Sequence, residues 1–370
     1  MTVRSFGVEE EFLLVGSDTF APVPAAPALL RAGRVRDGVV LEAELKAEQI
    51  EAVGAPQTTH SDLLDGIVAG RHAADDAALS VGARAVATAT SPAAFEAHLA
   101  DDDRYRRILD RFGVIAREQF TCGQHVHVSV ESPEEGIAVL DRIRGWLPAI
   151  LALSTNSPLV SGSDTGFQSY RYQAWGRWPT AGPADIWGDL DRHRRVIGSL
   201  VSSGVLLDEG MVYFDARLSR NHPTVEIRIA DVPLYAEDAA LIAVLIRALV
   251  ETAARQARRG VAPLPVATPV IAASSWLASK HGVTAGLIDP TDGSAVAASA
   301  LLAKLLAHVE EALADSDDRA IAADGVERVL RRGTGAQRQR SVWQRTGDVG
   351  AVIADAAELT RGGVGRLRSS

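Results

Sequence analysis

The stretch FGVEEEFLLV, residues 6–15, sets three adjacent carboxylates, Glu9, Glu10 and Glu11, inside an apolar run. Phe6, Val8, Phe12, Leu13, Leu14 and Val15 supply the β-branched and aromatic content of a strand. A core strand rarely carries three neighbouring acids, because burying an unpaired charge is costly. Side chains alternate along a strand, so Glu9 and Glu11 share one face and Glu10 points away. Two carboxylates about 7 Å apart repel unless a cation lies between them. The competing reading is an exposed edge strand whose acids are simply solvated.

Working outward, the strand heads a chain with short apolar or alternating runs at 6–15, 46–53, 83–90, 122–130, 211–218 and 224–231. Helical periodicity covers 61–82, 101–118, 134–153, 188–203, 235–259, 295–314 and 348–360. Ser132, with Glu135 three residues on, marks a helix start. MVYFDARLS and TVEIRIADV, joined by SRNHP, read as an antiparallel pair. Loops rich in Pro and Gly fall at 17–38, 156–187 and 260–270. Strands scattered among helices without regular alternation predict an α+β fold on a mainly antiparallel sheet. One domain is expected over 1–362, followed by a disordered tail at 363–370.

The 370 residues, 47% hydrophobic, suffice for a large core. No apolar run is long enough to span a membrane, and MTVRSFGVEEE lacks a signal-peptide pattern. One cysteine, Cys122, excludes an internal disulfide and any zinc site built from several cysteines. These features place the protein in the cytoplasm, and the net charge of −9 argues against nucleic acid as a partner.

Four further stretches carry candidate chemistry. LEAELKAEQIEAVGAP, residues 41–56, holds Glu42, Glu44, Glu48 and Glu51, either as oxygen ligands or as an acidic helix face. TCGQHVHVSV, residues 121–130, puts His125 and His127 on one strand face, as ligands, catalysts or core residues. In RLSRNHPTVEIRIADVP, residues 217–233, Glu226 and Arg228 share a face, with Arg217 and Arg220 nearby. That acid and arginine either pair with each other or hold a metal beside an anion. DTGFQSYRYQAWGRWPTAGP, residues 164–183, carries Arg171 and Arg177 in an aromatic loop of the kind that covers active sites or simply lies on the surface.

A carboxylate-heavy donor set favours Mg²⁺ or Mn²⁺ over zinc. Magnesium with arginine is the chemistry of phosphoryl transfer. The chain has neither GxxxxGK[ST] nor GxGxxG after a strand, so any ATP must be held by a sheet face and metal ions.

GVEEEF, GQHVHV and PTVEIRIADV, with SYR, ASWLASKHGVTAGLIDP and GAQRQRSVWQRTGD, resemble the carboxylate–amine ligases of the glutamate–cysteine ligase type 2 family. The resemblance runs over nearly the whole chain. It implies a glutamine synthetase-like catalytic fold, with a curved antiparallel sheet of about six strands and helices outside. It also implies ATP-dependent amide formation through an acyl phosphate, with glutamate–cysteine ligation, at a low rate or a high one, as the leading expectation. Small amino acid and amine substrates and a homodimer come with it. By position, Glu9, Glu11, Glu44, Glu51, His125 and Glu226 fit its metal or phosphate contacts, with His127 and Arg217 beside the nucleotide. Arg228 fits an arginine that steadies phosphate, and Arg171 one that grips the substrate carboxylate or its phosphate. Lys280 stands where the family pattern has arginine, and Leu218 where a proline is common. Two other readings compete. One is a metal-dependent hydrolase built on His125 and His127; the other is a catalytically weak nucleotide-binding regulatory protein.

Overall fold

The computed structural model describes residues 3–33, 35–36 and 39–362, so the expected tail at 363–370 lies outside the described residues. In chain order the strands are β1 (Phe6–Gly16), β2 (Val35–Arg36), β3 (Val39–Ala43), β4 (Gln49–Val53), β5 (Ala83–Val86), β6 (Gly123–Ser129), β7 (Leu159–Val160), β8 (Ser163–Asp164), β9 (Ala216–Leu218), β10 (Thr224–Asp231), β11 (Gly286–Ile288) and β12 (Ala295–Ala297). Eight of them form one sheet, ordered β2-β3-β4-β1-β6-β10-β9, with β5 also on β1. Every pairing in it is antiparallel. The antiparallel α+β expectation therefore agrees with the structure, with eight strands instead of about six.

β1 is long enough to serve three neighbours. Residues 6–10 pair with β6, residues 9–13 with β4 and residues 13–16 with β5. Alternation then sorts its side chains. Phe6, Val8, Glu10 and Phe12 turn toward the helices, and Glu9 and Glu11 toward the open face. Val126, Val128, Val225, Ile227 and Ile229 continue the apolar side and pack in one core with the helix Ala236–Arg258. Glu10 on this side is only 3% exposed, and Arg71 from the helix His60–Leu79 meets it with bonds of 2.6 and 3.0 Å. The odd acid of the opening strand is thus neutralised inside the core, away from the other two.

The open face is covered by a small separate core. Ile108, Ala116, Trp178, Ile197, Leu206, Met211 and Val212 cluster there, with Tyr105, Trp175 and Tyr213 packed on them. They come from the helices Asp103–Phe112, Val114–Glu118 and Leu190–Ser202, from the end of the helix Tyr170–Trp175 and the residues just after it, and from the segment ahead of β9.

Several expected elements are divided. The run at 101–118 breaks at Gly113, whose φ of +54° lies in the left-handed region. The run at 134–153 becomes Pro133–Ile143 and Leu147–Ser154, and Ser132 caps the first through the amide of Glu135 at 3.2 Å. The run at 295–314 opens with β12 and continues as Ala298–His308 and Glu310–Asp315. Stretches read as loops contain the helices Ala26–Ala32 and Tyr170–Trp175, and the helix Thr268–His281 starts within the loop expected at 260–270. The helices Arg319–Arg332 and Gly335–Thr346 were not anticipated. Of the strand expected at 211–218 only Ala216–Leu218 is extended, but it pairs with β10 as anticipated. Among the described residues, no helix is long and apolar enough to cross a membrane.

Candidate active site

Register places the polar residues in rows across the open face. Glu11 lies opposite Glu51 on β4, and Glu9 opposite His125 on β6. His127 lies opposite Glu226 on β10, which in turn lies opposite Arg217 on β9. Residues up to 217 positions apart in sequence therefore become neighbours on a single surface. Glu44 follows β3 and joins the same group.

The geometry is tight. His125 Nδ1 is 3.3 Å from Glu9 and 3.8 Å from Glu51, and its Nε2 is 3.6 Å from Glu11. His127 Nε2 is 3.3 Å from the other oxygen of Glu9, and its Nδ1 is 3.0 Å from Thr224 Oγ1. Glu226 receives Arg217 at 2.8 and 3.1 Å and also touches Arg228. Three sets, Glu9–Glu51–His125, Glu9–His127–Glu226 and Glu11–Glu44–Glu51, each bring three ligand atoms within 4.8 Å of one another. These residues line a cavity of about 680 Å³.

The electrostatics divide the cluster. Burial raises Glu9 and Glu226, but His125 and His127 hold Glu9 well below the usual carboxylate range, and Arg228 and Arg217 do the same for Glu226. Burial, helped by the charge of Glu11, pushes Glu44 up to about 8. Burial and the charges of Glu44, Glu9 and Glu11 raise Glu51 as well. Burial and then Arg228 lower His125, favouring the neutral imidazole that a metal needs. The Nε2 atoms of both histidines are buried without a hydrogen-bond partner. Crowded acids, neutral imidazole and unpartnered nitrogens fit divalent cations, and the oxygen-rich donor set fits Mg²⁺ or Mn²⁺.

A pH effect follows from these shifts. Folded Glu44 titrates near 8, against 4.5 for the ordinary carboxyl. The native state therefore holds more protons than the unfolded chain between those values, and stability falls as pH rises through the interval. Measured as the difference from Glu44→Gln, which cancels the opposing slope of the lowered histidines, the melting temperature of chelator-treated protein should decline from about pH 5 to about pH 8, and Mg²⁺–ATP should flatten the decline. A difference that climbs steadily over the same range would contradict the crowded-acid geometry.

Of the acids in 41–56, Glu44 and Glu51 reach the cavity, Glu42 is exposed, and Glu48 instead binds His98 at 2.6 Å. The stretch is two strands and a turn, not a helix face. Arg217 and Arg228 line the cavity, whereas Arg171 does not. Arg171 is 3% exposed, and its guanidinium bonds the carbonyls of Ile229 and Arg228 at 3.3 and 3.2 Å. A direct grip on substrate by Arg171 is thus not what this arrangement provides. Arg177 pairs with Glu118 at the surface. Lys280 stacks on Phe167 at 4.4 Å and is absent from the cavity wall. Cys122 is buried, with its thiol raised by burial, which agrees with inert packing. Sequence reasoning missed Arg104 and Asp208, which pair at 2.9 and 3.0 Å on the far wall, and Tyr105 and Tyr213 beside them. They lie on the covering core, where no local motif marks them.

The family model described as "Glutamate-cysteine ligase family 2" matches residues 5–366. A protein of Paenarthrobacter aurescens (strain TC1), named "Putative glutamate--cysteine ligase 2-1", is 50% identical over 97% of this chain and 96% of its own length. A protein of the same printed name from Streptomyces avermitilis is 43% identical over 97% of this chain and 100% of its own. Among solved structures, the glutamate–cysteine ligase of Francisella tularensis in complex with AMP superposes with a TM-score of 0.71 at 12% identity. It covers 98% of this chain and 89% of that one, so the fold is shared.

Fold, cavity and relatives together define an ATP-dependent carboxylate–amine ligase. The chain belongs to glutamate–cysteine ligase family 2. The resemblance read from its motifs is borne out.

Proposed function

We propose that the protein joins glutamate to cysteine or a similar small amine, with Mg²⁺ or Mn²⁺ held by Glu9, Glu11, Glu44, Glu51, His125 and Glu226. The observation that carries this reading is the three overlapping ligand sets within one cavity, with Arg217 and Arg228 against the same Glu226. When bound, the metal neutralises the triphosphate and polarises its γ-phosphoryl group. His125 and His127, fixed by Glu9, keep the ligand set oriented. Arg228 and Arg217 place positive charge where the phosphoryl group leaves ADP for the substrate carboxylate. The amine then attacks the acyl phosphate and releases phosphate. No side chain need act as a covalent nucleophile, because the substrate acid fills that role. Trp175, Trp178 and the covering core screen the reacting centre from water. A cytoplasmic location and a homodimer accompany this reading.

The hydrolase alternative is not favoured, since both histidines are embedded among carboxylates and oxygen donors outnumber nitrogens. An ADP-release screen across acids and amines, with and without Mg²⁺, tests the proposal. Metal-dependent ADP release that requires both glutamate and an amine is the expected result. Zinc-dependent turnover without ATP would overturn it.

A further inference from the structure

We infer that Arg171 is a positioning residue: it braces a bulge in β10 and so aims Arg228 into the cavity. The inference rests on the ligase reading for its kinetic readout and on geometry for the rest.

The register of β10 against β6 runs from Ile227 opposite Val126 to Ala230 opposite Gln124, so β10 carries one extra residue at Arg228–Ile229. An extra residue bends a strand, re-aims its side chains and leaves backbone groups without ladder partners. Both carbonyls at the bulge, Arg228 O and Ile229 O, accept from the Arg171 guanidinium at 3.2 and 3.3 Å. The amide of Arg228 donates to Asp215 O at 2.9 Å. A planar fork with several fixed donors can span two adjacent carbonyls; an ammonium cannot copy it.

The brace has a seat and an anchor. A Cβ at Gly123 would fall 2.2 Å from Arg171 Nη2, so only glycine lets the guanidinium in. The amide of that same Gly123 donates to Glu11 at 2.5 Å, which ties the brace to a candidate metal ligand. The anchor is Asp231, fully buried at the end of β10. Its carboxylate accepts from Ser157 Oγ and Ser169 Oγ, both at 2.7 Å, and from the amide of Asn156 at 2.8 Å. Those hydroxyls in turn accept the amides of Arg171 and Tyr172 at 3.0 and 3.3 Å, fixing the first turn of the helix Tyr170–Trp175. One carboxylate on β10 therefore holds the helix whose arginine returns to clamp β10.

The test compares wild type, Arg171→Lys and Ser157→Ala. Arg171→Lys should lower kcat about 10²-fold while moving the KM for glutamate less than about threefold. Combined with Arg228→Lys, it should add little further loss, because it acts through that residue. A KM for glutamate raised tenfold or more with kcat retained, or additive losses in the double variant, would overturn the inference. If Arg171→Lys does not fold, Ser157→Ala should show the same kcat-weighted pattern in weaker form, and unchanged kinetics there would count against the brace. A crystal structure of either folded variant gives an answer independent of turnover. Displacement of the Arg228 side chain is expected, and an unmoved Arg228 would refute the brace. Wild-type protein without ADP release would instead refute the ligase reading and leave the crystallographic comparison to judge the brace.

Discussion

Glu9→Gln should reduce Mg²⁺-dependent ADP release by at least about 10²–10³-fold and leave the fold intact, the loss typical of deleting one preorganised charged contact in a site. Glu9 belongs to two of the three ligand sets and touches both histidines, so no other single acid is shared as widely with them. Glutamine keeps the shape and one oxygen but loses the charge that would balance a bound cation. Circular dichroism should match wild type, and thermal melting should stay cooperative with at most a modest loss, because the folded state favours ionised Glu9 beside His125 and His127. Mg²⁺ titration should show weakened binding. Wild-type turnover in the variant would remove Glu9 from the metal cluster.

The second large effect concerns stability. Arg71→Ala should cost about 3–5 kcal/mol, the penalty for stranding one member of a buried ion pair. Arg71 is fully buried, and besides Glu10 it donates to the carbonyls of Pro233 and Leu234 at 2.7 and 2.8 Å. Its removal leaves a buried carboxylate and two carbonyls without partners on the core side of β1. A urea titration reads the loss as a lower midpoint. The double variant Glu10→Leu/Arg71→Met should recover part of it, because replacing both charges with apolar groups removes the stranded acid. A single variant as stable as wild type would mean that the pair contributes nothing.

How far the chain could be read without coordinates differs by level. The acids of β1, the histidines of β6 and the Glu226–Arg228 strand were legible because strand alternation fixes which side chains share a face. Their convergence was not contained in any one stretch. It depends on β6 lying between β1 and β10, a strand order that neither the motifs nor the family resemblance spelled out. The strand β3 was hidden because VVLEA runs directly into an acidic segment that mimics a helix face. The breaks at Gly113 and at 143–147 were missed because apolar periodicity continues across them. The placement of Arg171 outside the cavity wall was not legible, for a physical reason. An arginine in an aromatic loop looks like an anion binder, and only the bulge in β10 reveals carbonyls for it to bind.

The placement of the cluster on β1, β4, β6 and β10 has a consequence for biogenesis. Glu9 and Glu11 are made first and Glu226 more than two hundred residues later. During synthesis the early strand therefore exposes like charges with no counterpart, and local contacts offer it little reward before the central strands arrive. On the proposed reading the cation-binding cluster is then completed only late, and a chain truncated before Glu226 would lack its last acid.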